Sequence, residues 1–220
     1  MLLFLIRHAL TPITGKKLTG WLPGIDLSAD GKRHAQELTE RLKDVPFAAL
    51  YSSPLERCMQ TLEPLARSKG LEVITNKGVG EVKYGDWQGR TLTSLYKSKA
   101  WAELKAAPGE FRFPNGETVR EAQTRGMSAI DELRRKHKGK VVGVCSHADL
   151  IRLVVAGYLG VPIDLYDRIS IAPASASVLW LDGTPRLLRL SDSGTYSDVI
   201  GRLNSKSGPV RKRAAGMKPK

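Results

Sequence analysis

The chain has 220 residues, with 35 Lys and Arg against 22 Asp and Glu, and 41% of its residues are hydrophobic. This suits one domain with a real core; it is too apolar for a disordered chain, and no apolar run nears the roughly 18 residues of a membrane span. The net charge of +13 is uneven, because residues 201–220 carry seven cations and no acid, which leaves +6 on residues 1–200.

Leu2–Ile6 is a continuous apolar run, as in a strand buried on both faces. Ala29–Leu42 has helical periodicity, with Ser28 as N-cap and Ala35, Leu38 and Leu42 on one face. Ala48–Tyr51 is a second strand. Ser53-Pro54-Leu55-Glu56 predicts a capping box opening a helix, which Pro64 should kink or shorten. Leu71–Thr75 is a third strand. Glycines at 78, 80, 85 and 89 mark a loop, a helix is expected over Leu92–Lys105, and Pro108–Pro114 is loop. Thr118-x-x-Glu121 opens a helix that ends in the basic stretch 134–138, where cations suit the helix dipole. Lys140–Cys145 is a strand, Ala148–Leu159 a helix, and Arg168–Ile171, Ser177–Leu181 and Arg186–Leu190 are closing strands. Such alternation predicts an α/β fold, a three-layer α/β/α sandwich with a mostly parallel central sheet. The catalytic unit should span residues 1–193, followed by a basic tail over 194–220 that is expected to be flexible.

Met1–Ile6 is too short for a secretory h-region and runs straight into Arg7-His8. Cys58 and Cys145 are the only cysteines and no CxxC pair occurs, which argues against a disulfide framework or a Cys-rich zinc site. A cytoplasmic location is expected, with no cofactor and no metal.

In open α/β sheets, ligands sit beyond the carboxyl ends of the strands. The first strand delivers Arg7 and His8 there. The second leads to Arg57 in the first turn of a helix, and the fourth delivers Ser146 and His147. Any one of these alone is commonly a surface or packing residue. Together, two arginines and two histidines at such ends describe a pocket for a phosphate dianion, which the planar guanidinium can bind through two oxygens. His34 and His137 fall on basic or charged helix surfaces and are left out of the set.

Leu5-Ile-Arg7-His8-Ala9-Leu-Thr11 resembles the Arg-His-Gly-x-Ser/Thr signature of the histidine phosphatase superfamily (phosphoglycerate mutase-like). The resemblance continues in order through Thr19-Gly20-Trp21, Leu27-Ser28-x-x-Gly31, Tyr51 to Thr61, Gly80-Glu81 to Gly89, Pro114 to Glu121 and Val144-Cys-Ser-His147. It implies that His8 is the nucleophile and becomes a phosphohistidine. By the same resemblance Arg7, Arg57 and His147 hold the phosphoryl oxygens, and Glu81 is the acid/base. Contacts to substrate are expected from Thr14, Thr19, Gly20, Tyr84, Trp87 and Ala148. Four positions depart from the family pattern: Ala9 and Ala148 replace glycine, Thr14 replaces asparagine, and Thr19 replaces glutamine.

The same chemistry serves mutases and phosphatases. Mutases of this family carry a long insertion after the acid, whereas 35 residues separate Glu81 from Glu117 here. That compact segment resembles the phosphatase branch, including α-ribazole phosphatase-like and broad-specificity members. The closing Arg168–Ser177 stretch resembles a bacterial subgroup named as phosphomutases. Phosphatase is favoured, acting on a small phosphorylated molecule, with phosphomutase as the alternative. Trp87, Tyr84, Trp101, Phe111 and Phe113 lie in the segment expected to cap the pocket, where Lys83 and Arg90 could meet further negative charge; Trp101 reads equally well as core. The tail offers a non-enzymatic alternative, binding to nucleic acid or an acidic surface, but it has no aromatic after Tyr196 for base readout. Specific nucleic-acid binding and a membrane span are not expected, and monomer and homodimer are both open.

Overall fold

The computed structural model describes residues 1–196 and 199. Six strands form one mixed sheet: β1 (Leu2–Arg7), β2 (Phe47–Ser52), β3 (Val73–Thr75), β4 (Val141–Ser146), β5 (Ala176–Trp180) and β6 (Arg186–Asp192), in the order β3-β2-β4-β1-β5-β6. The pairs β3-β2, β2-β4 and β4-β1 are parallel, whereas β5 and β6 add an antiparallel edge. Successive side chains of β1 point to opposite faces of the sheet. Leu3 and Leu5 pack with α5 (Val119–Lys136) and α6 (Ala148–Leu159). Leu2, Phe4 and Ile6 pack with α1 (Ala29–Leu42) and α2 (Glu56–Lys69). Those two cores make the three layers. No helix among the described residues is long and apolar enough to cross a membrane.

The local signals explain most boundaries. Ser28 caps α1 by accepting from the Gly31 amide, and Ala35, Leu38 and Leu42 are buried as the periodicity requires. Gly31 must be glycine, because a Cβ there would meet the Leu10 carbonyl oxygen at 1.9 Å. Thr118 and Glu121 form the reciprocal capping box of α5.

Several expectations need correction. The Ser53–Glu56 box does not form. Helix α2 starts at Glu56 without a side-chain cap, Ser53 Oγ lies 2.8 Å from His147 Nε2, and Glu56 accepts from the Gly24 amide. Pro64 does not stop α2, which continues to Lys69 while Leu62, Leu65 and Ala66 hold it against the core. The helix expected over Leu92–Lys105 is two, α3 (Leu92–Tyr96) and α4 (Lys99–Ala106), divided where Ser98 caps α4 by accepting from the Trp101 amide. Arg168 ends a 3-10 helix (Ile163–Arg168), so Arg168–Ile171 is not a strand. Pro108–Glu110 forms a 3-10 turn within the expected loop. His137 is tied down, with Nε2 2.9 Å from the Tyr51 hydroxyl. Tyr196 is buried edge-on against Phe4 and Val199 is buried in the same core; residues 200–220 of the expected tail lie outside the described residues.

Segment 82–113 builds a third core on the ends of α5 and α6, around Tyr84, Trp87, Leu95, Leu104 and Phe113. It stands beside the carboxyl ends of β1 and β4.

Candidate active site

Sheet register brings the chemistry together. Arg7 pairs with Ser146 across β1 and β4, and Ser52 pairs with Cys145 across β2 and β4. One residue further along, His8 and His147 face each other with ring centroids 5.2 Å apart. Just past β2, the first turn of α2 turns Arg57 inward, where it is fully buried. Its Nη2 donates to the Gly20 carbonyl at 2.7 Å and to His147 Nδ1 at 3.2 Å. Arg57 Nε and Nη1, and Arg7 Nε, are buried with no acceptor among the described residues. Donors of this kind suit phosphoryl oxygens.

Hydrogen bonds assign the histidine tautomers. His8 Nδ1 lies 2.7 Å from the Ala9 carbonyl, which can only accept. Nδ1 therefore carries the proton, and Nε2 keeps its lone pair. Burial, then the Arg57 charge, push His8 down to about 3, and the same two causes push His147 well below its ordinary value. Both rings are neutral near pH 7. Since Arg57 can only donate, His147 Nδ1 accepts and Nε2 donates to Ser53. The alanine at position 9 fits because its φ is not positive, and its amide donates to Thr61 Oγ1 at 2.9 Å.

Glu81 reaches the same cleft from the loop after β3. Its Oε1 accepts from the amides of Val82 and Leu150. Burial first, and the charge of Asp149 second, raise its carboxyl to about 7. The loop is fixed by Arg125, which donates to the carbonyls of Gly78, Gly80 and Glu81 and pairs with Glu117 at 2.6 Å. Glu117 in turn accepts from the Lys83 amide. The Arg125–Glu117 pairing has no sequence signal, since nothing local links Arg125 to a loop 44 positions upstream. Arg125→Met leaves the largely buried Glu117 carboxylate without its partner. It is expected to cost about 3 kcal/mol in urea unfolding and to lower kcat with it.

The cleft, about 270 Å³, is lined by Arg7, His8, Glu81, Thr14, Thr19, Tyr84 and Ala148 among others. Thr14 Oγ1 bonds Thr11 and lies beside His8 on this wall. Gly20 and Trp87 are not on the wall, nor are Arg57 and His147, which lie buried next to it. Gly20 lies behind Arg57 as its carbonyl acceptor, and Trp87 is buried among Trp101, Phe111 and Phe113. Lys83 and Arg90 are likewise outside it; the cations on the cleft besides Arg7 are Lys17 and Arg152. Asp149 and Arg152, three apart at the start of α6, carry no sequence signal of their own although they closely follow His147. Arg152 Nη1 pairs with Asp149 at 2.6 Å, and the Tyr84 hydroxyl donates to the other Asp149 oxygen. No group of three or more His, Cys, Asp or Glu among the described residues could hold a metal ion.

This arrangement brings together a neutral imidazole with a lone pair on Nε2, buried guanidinium donors and a carboxyl that titrates near neutrality. A family model described as histidine phosphatase superfamily (branch 1) matches residues 3–193. Phosphoserine phosphatase 1 of Hydrogenobacter thermophilus is 29% identical over 185 residues, covering 82% of this chain and 86% of that protein. Phosphoglycerate mutase-like protein 4 of Arabidopsis thaliana is 30% identical over 153 residues, covering 67% and 66%. The fold is also similar to the α-ribazole phosphatase structure from Shigella flexneri, with a TM-score of 0.79 at 24% identity, covering 89% of this chain and 98% of that one.

Proposed function

The chain belongs to the histidine phosphatase superfamily, branch 1, and on that premise we propose that it is a phosphatase hydrolysing small phosphate monoesters, without a metal, through a phosphohistidine on His8. One observation carries this reading: His8, Arg7 and the Glu81 carboxyl line one cleft, and the buried His147 ring, bonded to buried Arg57, lies 5.2 Å from that of His8. In the first step His8 Nε2 attacks phosphorus. The bond to the ester oxygen breaks, and protonated Glu81 gives that oxygen its proton. In the second step water attacks the phosphohistidine, its proton passes to Glu81, and the N–P electron pair returns to Nε2. Arg7 and Arg57 hold the equatorial oxygens throughout, and His147 positions Arg57 by accepting from its Nη2.

The phosphoserine phosphatase relative supports hydrolysis, as does the compact segment after Glu81. The phosphoglycerate mutase-like relative supports the second reading, a phosphomutase using the same histidine. One assay separates them. A panel of phosphorylated metabolites, including 3-phosphoglycerate and α-ribazole phosphate, is incubated with the protein and EDTA. Free phosphate marks a phosphatase and an isomeric ester marks a mutase. Failure of label from a ³²P ester to reach the protein in an acid-labile, alkali-stable form overturns both.

The pH profile follows from Glu81. Its carboxyl must be protonated for the first step, so kcat/KM is expected to hold below about pH 7 and fall above it. Neutral His8 places no limit until about pH 3. Glu81→Gln should remove the fall and lower the rate by roughly 10²–10⁴ for alkyl esters, whose leaving oxygen needs a proton.

A further inference from the structure

A second cavity of about 220 Å³ opens from the cleft, and Leu18, Tyr84, Tyr96, Trp101, Asp149 and Arg152 border both. Leu104, Phe113 and Tyr166 complete an aromatic and aliphatic wall. Tyr96 keeps 55% of its surface exposed while its ring lies 4.7 Å from that of Trp101, so core packing does not account for it. The charges around this pouch are matched among themselves: Arg152 with Asp149, and Lys105 with Asp167. Asp149 has its second oxygen occupied by the Tyr84 hydroxyl. Arg152 Nε is buried without a hydrogen-bond partner among the described residues, so Arg152 can meet a substrate acceptor oxygen without leaving Asp149. A cavity of about 150 Å³ holds a benzene ring, so this one accommodates a ring with a substituent.

We propose that this pouch is the leaving-group subsite, and that it selects phosphomonoesters of ring-bearing alcohols over compact ones. The proposal rests on the phosphatase reading, because the pouch is placed by reference to a phosphoryl group at His8. The ring lies against Trp101 and Tyr96, and Arg152 offers its remaining donors to an acceptor oxygen on the ring.

The full-length protein is assayed with benzyl phosphate, glycerol 1-phosphate and O-phosphoserine. Benzyl phosphate should exceed both others in kcat/KM by roughly tenfold or more. Tyr96→Ser and Trp101→Leu should each collapse the benzyl to glycerol ratio; Tyr96, being exposed, can be replaced without opening the core. Benzylphosphonate and methylphosphonate, which cannot be hydrolysed, are compared by calorimetry on the same proteins, with the benzyl compound expected to bind more tightly only when the ring wall is intact. O-Phosphoserine matching or exceeding benzyl phosphate overturns the proposal, as do ratios that neither variant moves. If esters are hydrolysed without ring preference, the subsite alone fails. If none is hydrolysed but benzylphosphonate binds through Tyr96 and Trp101, the pouch stands and the phosphatase reading fails.

Discussion

His8→Ala is expected to lower kcat by a factor of roughly 10⁴–10⁶ and to abolish the phosphoenzyme. The size follows from the covalent route. Without Nε2 the reaction must proceed by direct attack of water, and Glu81 is protonated in the state that would have to accept water's proton. The neighbouring groups cannot take over, because His147 Nδ1 is occupied by Arg57 and its Nε2 by Ser53. The fold should survive, since the side-chain hydrogen bond of His8 runs only to the next residue's carbonyl. Circular dichroism and urea unfolding check this, and quench experiments with a labelled ester check the intermediate. Full activity in the variant would sink the mechanism.

Arg57→Met should lower kcat/KM by roughly 10³–10⁵, the scale on which an arginine acts in phosphoryl transfer. Methionine occupies much of the guanidinium's buried volume but supplies no donor. The Lys variant should recover little, because an ammonium cannot reach two oxygens in the fork geometry. Two further readouts separate this from simple structural damage. Arg57 is the largest charge depressing His8 and His147, so both should titrate at higher pH in Arg57→Met, and the acid limb of the rate profile should move up with His8. Stability should change little, since the variant removes a wholly buried cation that no carboxylate among the described residues pairs. Kinetics, histidine NMR titration and urea unfolding together test it. A large loss of stability with unmoved histidines would make Arg57 a packing residue.

The elements that carry the site were legible because their signals are local. Strands β1 and β4 are unbroken apolar runs, helix α6 was placed to the residue, and strand ends are where an α/β sheet presents polar groups. His8, Arg57 and His147 followed from that placement. Elements failed where a local signal had a distant competitor. The Ser53 hydroxyl is a good cap by pattern, but His147, 94 positions away, takes it. Ser98 looks like an interior helix residue and instead starts a new helix. Trp87 sits in the right segment for a substrate contact, but the rings of Trp101, Phe111 and Phe113 enclose it. The Arg125–Glu117 brace and the Asp149–Arg152 pair acquire meaning only when the loop after β3 meets α5 and α6, which no spacing rule encodes.

Because β2, β4 and β1 are adjacent, Arg7, His8, Ser53 and His147 are anchored to amides of paired strands inside the sheet. Amides of that kind exchange with solvent only in global opening. The amides of His8 and Ser53, each donating to a β4 carbonyl, should therefore exchange as slowly as the strand interior. Loss of the His8–His147 arrangement on heating should coincide with unfolding of the whole sheet. The pouch's Tyr96, Trp101 and Leu104 come instead from the short helices α3 and α4, whose amides should exchange faster.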